Sequence, residues 1–177
     1  MDVAPAKKYR LSDSYCFEGF RPQDGKVRGI FGKPHAKILP MERRSSKTCC
    51  GKCGTIQQGW HDSTIKLIRD LPFASDDHKQ LYLEIEFRRV SCQKCGKVQN
   101  ERLEWVGKNP LYTKRFSNYV GKRCCDAAIP QPGYGIADCD ASFQSVAEAF
   151  DLDLKTVKEM SKNYMRSSAA KADTPKP

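Results

Sequence analysis

Two short segments of the same form constrain this chain more than any other feature. Cys50-Gly51-Lys52-Cys53-Gly54 and Cys92-Gln93-Lys94-Cys95-Gly96 each place two thiols at C-x-x-C spacing, with a glycine directly after the second cysteine. A turn of this length directs both sulfurs to one position, and the glycine allows the positive φ at which the chain bends away. Four thiolates from two such turns form the closed tetrahedral set that Zn²⁺ prefers in structural sites. The sequence therefore predicts one structural zinc ion, with the ligands Cys50, Cys53, Cys92 and Cys95.

The other cysteines are expected to be free thiols. The chain has nine cysteines. Its sequence has no stretch of about 18 apolar residues and no apolar signal core at the N-terminus. It is therefore expected to be cytoplasmic and to have no membrane partner, and disulfides are rare in a reducing compartment. Two alternatives for the metal site stay open, namely Cys49 in place of Cys50 and His61 as a ligand. The expected free thiols are Cys16, Cys49, Cys124, Cys125 and Cys139.

The charge of the chain predicts a polyanionic partner. Its 31 lysines and arginines exceed its 21 aspartates and glutamates, which gives a net charge of +10. The excess is greatest in residues 1–48, where 11 basic and 5 acidic side chains leave a net +6. Prolines and turn signals make this segment a partly ordered arm. Its residues Arg43, Arg44 and Lys47 either contact phosphates or belong to a solvated linker.

Residues 49–108 are predicted to form a zinc ribbon. Apolar side chains from Leu81 to Phe87 alternate with polar ones, which is the period of a strand with one buried face, and this strand runs into Cys92. Strand-like segments at 64–71 and 98–105 would pair with it. So small an antiparallel sheet lacks a sufficient core of its own, and we expect it to depend on the metal.

Residues 109–166 change to helical periodicity. Thr113 is a candidate N-cap for a first helix, and Ser142 is a candidate N-cap for a second. The Pro- and Gly-rich segment 125–141 between these helices is predicted to be a loop. Residues 167–177 have no apolar periodicity and are expected to form a frayed tail.

The second and third helices have the spacing of a helix-turn-helix, although an ordinary helical hairpin fits the same pattern. The turn lies at 151–153, and the third helix is placed at about Leu154 to Arg166. Val157, Met160 and Tyr164 would face the core. The opposite stripe, which is predicted to contact DNA, consists of Lys155, Thr156, Glu159, Lys162 and Arg166, with Lys158 alongside. The first three would lie nearest the base edges, and the next two nearest the phosphates.

The order of short motifs along the chain adds a family resemblance. The first knuckle is followed by Ile68-Arg69-Asp70-Leu71-Pro72, by Phe87-Arg88-Arg89-Val90-Ser91-Cys92 and by Thr113-Lys114-Arg115-Phe116. The helical end carries Ser145-Val146-Ala147-Glu148-Ala149-Phe150, Thr156-Val157-Lys158 and Tyr164-Met165-Arg166. This order resembles the N-terminal zinc-binding and helix-turn-helix region of the ISL-three family of insertion-sequence transposases.

The resemblance implies sequence-specific binding to the terminal inverted repeats of a transposable element. In that family a following RNase H-like domain cuts DNA with three metal-binding carboxylates, and this chain ends where that domain would begin. We therefore expect a truncated or isolated N-terminal part of a transposase, with no catalytic residues and no cleavage activity of its own. The expected partner is double-stranded DNA. Full-length transposase and a second copy of the chain remain open as further partners.

Taken together, the patterns predict an α+β protein in which a small antiparallel zinc ribbon precedes a helix-turn-helix module. Two other classes of function stay open. A protein-interaction adaptor or transcriptional regulator would use the same ribbon and helices. A redox enzyme would use the C-x-x-C pairs, but these lack the βαβ context in which redox pairs normally occur.

Overall fold

The structure is a computed structural model that describes residues 15–23, 26–72, 80–127 and 139–172. These residues form an α+β protein, which confirms the predicted fold class. The chain divides into two compact units, Met1–Trp105 and Val106–Pro177. In the described residues, the first unit holds all the strands and the second holds all the helices.

Eight strands lie in the described part of the first unit. They are β1 (Phe20–Pro22), β2 (Arg28–Ile30), β3 (Lys33–Arg43), β4 (Lys47–Cys49), β5 (Ile56–Gln58), β6 (Asp62–Asp70), β7 (Gln80–Cys92) and β8 (Lys97–Asn100). Strands β1, β3, β7 and β6 follow one another across the main sheet, while β2 pairs with β3 and β8 pairs with β7. Strands β4 and β5 form a separate two-stranded sheet.

Strand β7 pairs with β3, β6 and β8 in the main sheet, and its alternating pattern correctly predicts a strand with one buried face. Leu81, Leu83, Ile85 and Phe87 are all buried, because each lies on the face that is covered by the core. β7 pairs antiparallel with β6 along one edge and with β8 near Cys92. The strand therefore carries the second cysteine pair directly from the core of the unit.

The main sheet is larger than the predicted small antiparallel sheet, and its strands are not all antiparallel. β3 pairs parallel with β7, from Ala36 opposite Gln80 to Pro40 opposite Glu84, so the sheet is mixed rather than antiparallel. The described part of the segment that was predicted to be a basic arm supplies β1, β2 and β3 of this sheet. Pro40 obscured this role because proline lacks a ladder donor, yet it lies at the last pair of the parallel ladder, where its missing N–H costs little.

The second unit contains three helices in its described residues, α1 (Lys114–Ala127), α2 (Cys139–Phe150) and α3 (Leu154–Ala172). The predicted cap of α1 is confirmed, since the backbone N–H of Phe116 donates to Thr113 Oγ1 at 3.1 Å. α1 and α3 approach closely at Gly121, where an added Cβ would lie 2.5 Å from Tyr164 Cβ. Only glycine permits this crossing distance. The core shared by the helices is formed by Phe116, Val120, Cys124, Val146, Ala147, Val157 and Met160.

Three predicted helix limits differ from the structure. α1 extends through Ala127 and α2 begins at Cys139, so both ends of the predicted loop 125–141 are helical. Ser142, the predicted N-cap, therefore lies inside α2; residues 128–138 fall outside the described part. α3 continues to Ala172, past the predicted end at Arg166, because serine and alanine sustain a helix without an apolar face.

The turn between α2 and α3 is short and closely bonded. Asp151 has a φ of 48°, and the N–H of Leu152 donates to the carbonyl of Ala147 at 2.9 Å. Asp153 caps α3 by accepting from the backbone N–H of Thr156 at 2.8 Å. Hydrogen bonds from Thr156 lower the pKa of Asp153, so the cap is in its charged, accepting form at neutral pH.

Asp151→Gly is expected to stabilise the second unit. An L-residue in the left-handed region costs roughly 1 kcal/mol, less for aspartate than for bulkier side chains, and glycine removes that cost. The free energy of unfolding should therefore rise by up to about 1 kcal/mol, measured by urea denaturation. Asp151→Val serves as the opposite control, because a β-branched residue at this φ should destabilise the unit.

Candidate metal centre and nucleic-acid interface

The four predicted zinc ligands converge on one point. The sulfurs of Cys50, Cys53, Cys92 and Cys95 all lie within 4.8 Å of one another. Cys50 Sγ lies 3.9 Å from Cys95 Sγ, and Cys53 Sγ lies 3.4 Å from Cys92 Sγ. With Zn–S bonds of about 2.3 Å, the sulfurs of a tetrahedral site are about 3.8 Å apart. The cluster therefore fits a Zn²⁺ ion in both ligand type and spacing.

The two knuckles have the same local geometry. The N–H of Gly54 donates to the carbonyl of Cys50 at 2.9 Å, and the N–H of Gly96 donates to the carbonyl of Cys92 at 2.8 Å. Gly54 and Gly96 have φ values of 72° and 66°, as the sequence pattern requires. Each turn thus directs both of its sulfurs inward without strain.

The thiols influence one another's protonation. A hydrogen bond between Thr55 Oγ1 and Cys53 Sγ, 3.1 Å apart, lowers the pKa of Cys53 to about 6. The hydrogen bond to the Cys53 sulfur raises the pKa of Cys95 to about 12. One thiolate therefore forms readily, whereas additional negative charge in so small a volume needs a cation to offset it. A divalent soft metal meets that need.

The alternative ligands lie outside this cluster. Cys49 Sγ points to the carbonyl of Gly54, 3.4 Å away, and burial raises its pKa. His61 directly precedes β6, and its backbone N–H donates to the carbonyl of Arg89 at 2.7 Å. Among the described residues, the four thiols alone make up the candidate metal set. The described cysteines outside it, Cys16, Cys49, Cys124 and Cys125, are free thiols as predicted, while the side chain of Cys139 falls outside the described part.

Arg43 was predicted to contact phosphates, but the structure places it inside the first unit. Its side chain is 8% exposed and forms ion pairs with Glu101 and Glu86. Its guanidinium also lies 4.6 Å from the centre of the Phe20 ring. A buried, paired guanidinium is not available to a phosphate, so the prediction for Arg43 is wrong. The cause is the long-range approach of Glu101, which no local pattern reveals.

Glu101 links this ion pair to the first knuckle. Its carboxylate also accepts from the backbone N–H of Arg88 at 2.7 Å, and its backbone pairs with that of Cys50. Next to it, the carbonyl of Asn100 accepts from the N–H of Gly51, and an added Cβ on Gly51 would lie 2.6 Å from that oxygen. The chain after β8 therefore positions the first cysteine pair against the second.

The other two predicted arm residues, Arg44 and Lys47, are exposed. Three lysines that were not singled out beforehand join them at the cysteine end of the unit. No ion pair of the described residues involves any of the five. The signal that could have found the three is the absence of acidic residues from 43–61 and 87–100. We call Arg44, Lys47, Lys52, Lys94 and Lys97 the cysteine-end cations.

The predicted DNA-contacting stripe lies on α3. Lys155, Glu159, Lys162 and Arg166 are exposed on this helix. Val157 and Met160, predicted to face the core, are 0% and 5% exposed. Two members of the stripe have internal contacts: the Thr156 hydroxyl bonds to Asp153 Oδ2, and the Lys158 ammonium lies 5.9 Å from the Phe143 ring centre. The helix therefore presents its cations outward, with Thr156 partly committed to the cap.

These features define a mixed-sheet unit with a candidate Cys₄ metal centre and a separate helical unit with a cationic outer stripe. Comparison with known proteins then relates the chain to transposases. It is similar to the transposase for insertion sequence element IS1001 from Bordetella parapertussis, with 28% identity over 153 residues, or 86% of this chain. The chain spans about a third of that relative, since the matched part is 31% of its length.

Two other comparisons found no match. No protein-family model matches the sequence, and no solved structure matches it. Among the described helices, none combines the length and apolarity needed to cross a bilayer.

Proposed function

We propose that this chain binds duplex DNA as the N-terminal, DNA-binding region of a transposase-related protein. Its proposed target is the terminal inverted repeats of an insertion sequence. The similarity to an insertion-sequence transposase supports this class of target. The observation that carries the proposal is the outward cationic stripe on α3, which follows a three-residue turn and a helix that shares its core.

The geometry of α2, its turn and α3 supports a helix-turn-helix. Ala147 on α2 is 4% exposed and Val157 on α3 is 0% exposed, so each helix buries one face in the core that they share. The positive φ of Asp151 provides the sharp change of direction that such a turn needs. In this motif the second helix lies in the major groove, with its N-terminal residues nearest the base edges.

The charges along α3 divide into two proposed roles. Lys155 and Glu159 lie in its first half, nearest the base edges. There Lys155 is proposed to donate to guanine, and Glu159 to accept from N4 of cytosine. Lys162 and Arg166 lie farther along, where contacts to phosphates are expected. The Thr156 hydroxyl donates to the Asp153 carboxylate and so stabilises the start of the helix. Thr156 is also proposed to lie close to the DNA.

In the first unit, a structural zinc ion bound by the four clustered thiols would fix the cysteine end and supply no open coordination position for chemistry. Lys52 and Lys94 lie within the two knuckles and Lys97 pairs with Cys92, and the cysteine-end cations are proposed to contact phosphates. Their contribution would be independent of sequence and sensitive to salt. Sequence readout is assigned to α3.

Lys155→Ala is expected to weaken binding to the preferred site more than binding to random DNA. The site is first obtained by selection from a random duplex pool. The loss on that site should be on the order of 1–3 kcal/mol, since a contact to a base edge carries discrimination. Lys162→Ala should weaken both kinds of DNA similarly, because a phosphate contact has no sequence preference. Fluorescence anisotropy at several salt concentrations measures both effects.

A control variant shows what loss of binding through unfolding looks like. Val157→Asp buries a charge in the helical core and should abolish binding together with helical circular dichroism. If Lys155→Ala and Thr156→Ala bind the selected site like the unmodified chain, α3 does not read the DNA. Incubation of labelled repeat DNA with Mg²⁺ tests the separate expectation that this chain does not cleave, and strand breaks would contradict it.

A further inference from the structure

The hairpin formed by β2 and β3 ends in an exposed aromatic ring. Ile30 pairs with Lys33, so Phe31 and Gly32 form a two-residue turn, and Gly32 has the positive φ of 76° that its position demands. Phe31 is fully exposed, more so than any other large apolar residue described. Phenylalanine contributes nothing to turn formation, where Gly, Asn and Asp are favoured. The turn alone therefore does not account for its presence.

The hairpin is also cationic. No acidic residue lies between Asp24 and Glu42. Lys26 and Lys33 are exposed, Lys37 is half-buried, and none of the three takes part in an ion pair of the described residues. Arg28 differs, since it forms an ion pair with Glu84 on β7 and so anchors the base of the hairpin to the sheet. The result is a braced hairpin with an apolar tip, in which Lys33 directly follows the turn, Lys37 lies opposite Gly29, and Lys26 lies beyond the base.

A single exposed apolar residue is common and by itself means little. Here the ring lies beyond Ala36, the first residue of β3 that pairs with β7, and the exposed cations of the same hairpin attract an anionic partner. Duplex DNA meets both requirements, because it offers phosphates for the lysines and base steps for the ring. The minor groove is about 6 Å wide, which admits a hairpin tip but not a flat pair of strands with their side chains.

We propose that the β2–β3 hairpin is a second DNA contact, in which Phe31 enters the minor groove against a base step while Lys33 and Lys37 contact the flanking phosphates. This inference rests on the proposed DNA-binding function and adds a contact separate from α3. The ring supplies an apolar wedge, and the lysines supply attraction that falls with salt. Both parts sit on a hairpin tied to the core of the first unit.

The test uses the full chain with zinc and a labelled duplex that contains the selected site. Phe31→Ala should weaken binding about tenfold, the lower range for loss of an aromatic contact with a base, and should leave the slope of log K against log salt unchanged. The double variant Lys33→Ala/Lys37→Ala should also weaken binding but flatten that slope by about 1.8. The salt slope therefore distinguishes an apolar contact by Phe31 from phosphate contacts by the two lysines.

A direct readout comes from Phe31→Trp. The introduced indole should preserve affinity, and its emission should be quenched when DNA is added, beyond any change in the unmodified chain. Ile65→Ala is the control, because Ile65 is also apolar and 66% exposed but lies on β6, so its removal should not alter DNA affinity. Phe31→Ala, Phe31→Trp and Ile65→Ala should keep the melting temperature of the unmodified chain, since the side chains of Phe31 and Ile65 face solvent.

The outcomes separate this inference from the proposed function. If the unmodified chain binds no duplex, both fall. If it binds DNA while Phe31→Ala binds equally well and the new indole is not quenched, the hairpin contact is wrong and the role of α3 stands. Loss of self-association or of vesicle binding in Phe31→Ala, with DNA affinity intact, would assign the ring to a protein or lipid surface and overturn the proposal.

Discussion

Cys53→Ser is expected to remove the zinc ion and to melt the cysteine end of the first unit, while the central strands remain folded. Structural zinc binding contributes about 10–16 kcal/mol in small metal-dependent modules, so losing one of four thiolates should reduce bound zinc well below one ion per chain. The short sheet of β4 and β5 has little core of its own. Its hydrogen-exchange protection should therefore fall, together with that of the second knuckle.

The same substitution should spare β3, β6 and β7. Leu39, Ile68 and Leu83 are at most 1% exposed and form a core that does not involve the cysteines. A partial transition distinguishes this structure from the small metal-dependent ribbon that the sequence predicted, which would unfold completely. Zinc content by atomic emission and hydrogen exchange by mass spectrometry provide the two measurements.

Cys49→Ser is the matched control for this experiment. It replaces the neighbouring thiol, which lies outside the cluster, and should leave zinc at one ion per chain. Zinc-free protein with unchanged protection at both knuckles would rule out a structural metal. Equal zinc loss in the two variants would move the ligand assignment from Cys50 to Cys49.

Glu101→Ala is expected to destabilise the first unit by about 3–5 kcal/mol, the usual cost of removing one partner from a buried ion pair. The Glu101 side chain is 1% exposed, and its loss would leave the guanidinium of Arg43 buried beside Glu86 alone. It would also leave the backbone N–H of Arg88 without the carboxylate that accepts from it. Chemical denaturation followed by tryptophan fluorescence measures the change.

Two further variants show whether burial is the cause. Glu42→Ala removes an exposed carboxylate that pairs with exposed Arg21, and it should cost less than about 1 kcal/mol. Combining Glu101→Leu with Arg43→Met should recover much of the loss, because apolar side chains of similar size leave no unpaired charge. Equal costs for Glu101→Ala and Glu42→Ala would contradict the buried-pair interpretation.

Glu101→Ala should also weaken metal binding, although Glu101 is not a ligand. Its backbone pairs with Cys50, so displacement of this segment would move the first knuckle away from the second. Faster zinc release to a chelator, with all four cysteines intact, is the expected result. Glu42→Ala should release zinc at the normal rate.

Features fixed by neighbouring residues could be predicted from the sequence. The C-x-x-C-G turns place their sulfurs through local backbone geometry, which is why the sequence alone predicts the four candidate ligands. The cap at Thr113, the alternation in β7 and the buried face of α3 are equally local, because strand and helix periods repeat every few residues. The sequence by itself therefore determined the candidate metal set and the direction in which α3 presents its cations.

Only the tertiary structure decided the features that join distant segments. Parallel pairing of β3 with β7 brings Ala36 opposite Gln80, and nothing in the proline-containing segment around β3 signals that partner. The same pairing buries Arg43 against Glu101 and converts a predicted phosphate contact into part of the core. It also leaves Phe31 at the tip of a hairpin. Such placements depend on which segments pair across long loops. That pairing is determined by how the whole sheet buries its apolar face, and no local pattern specifies it.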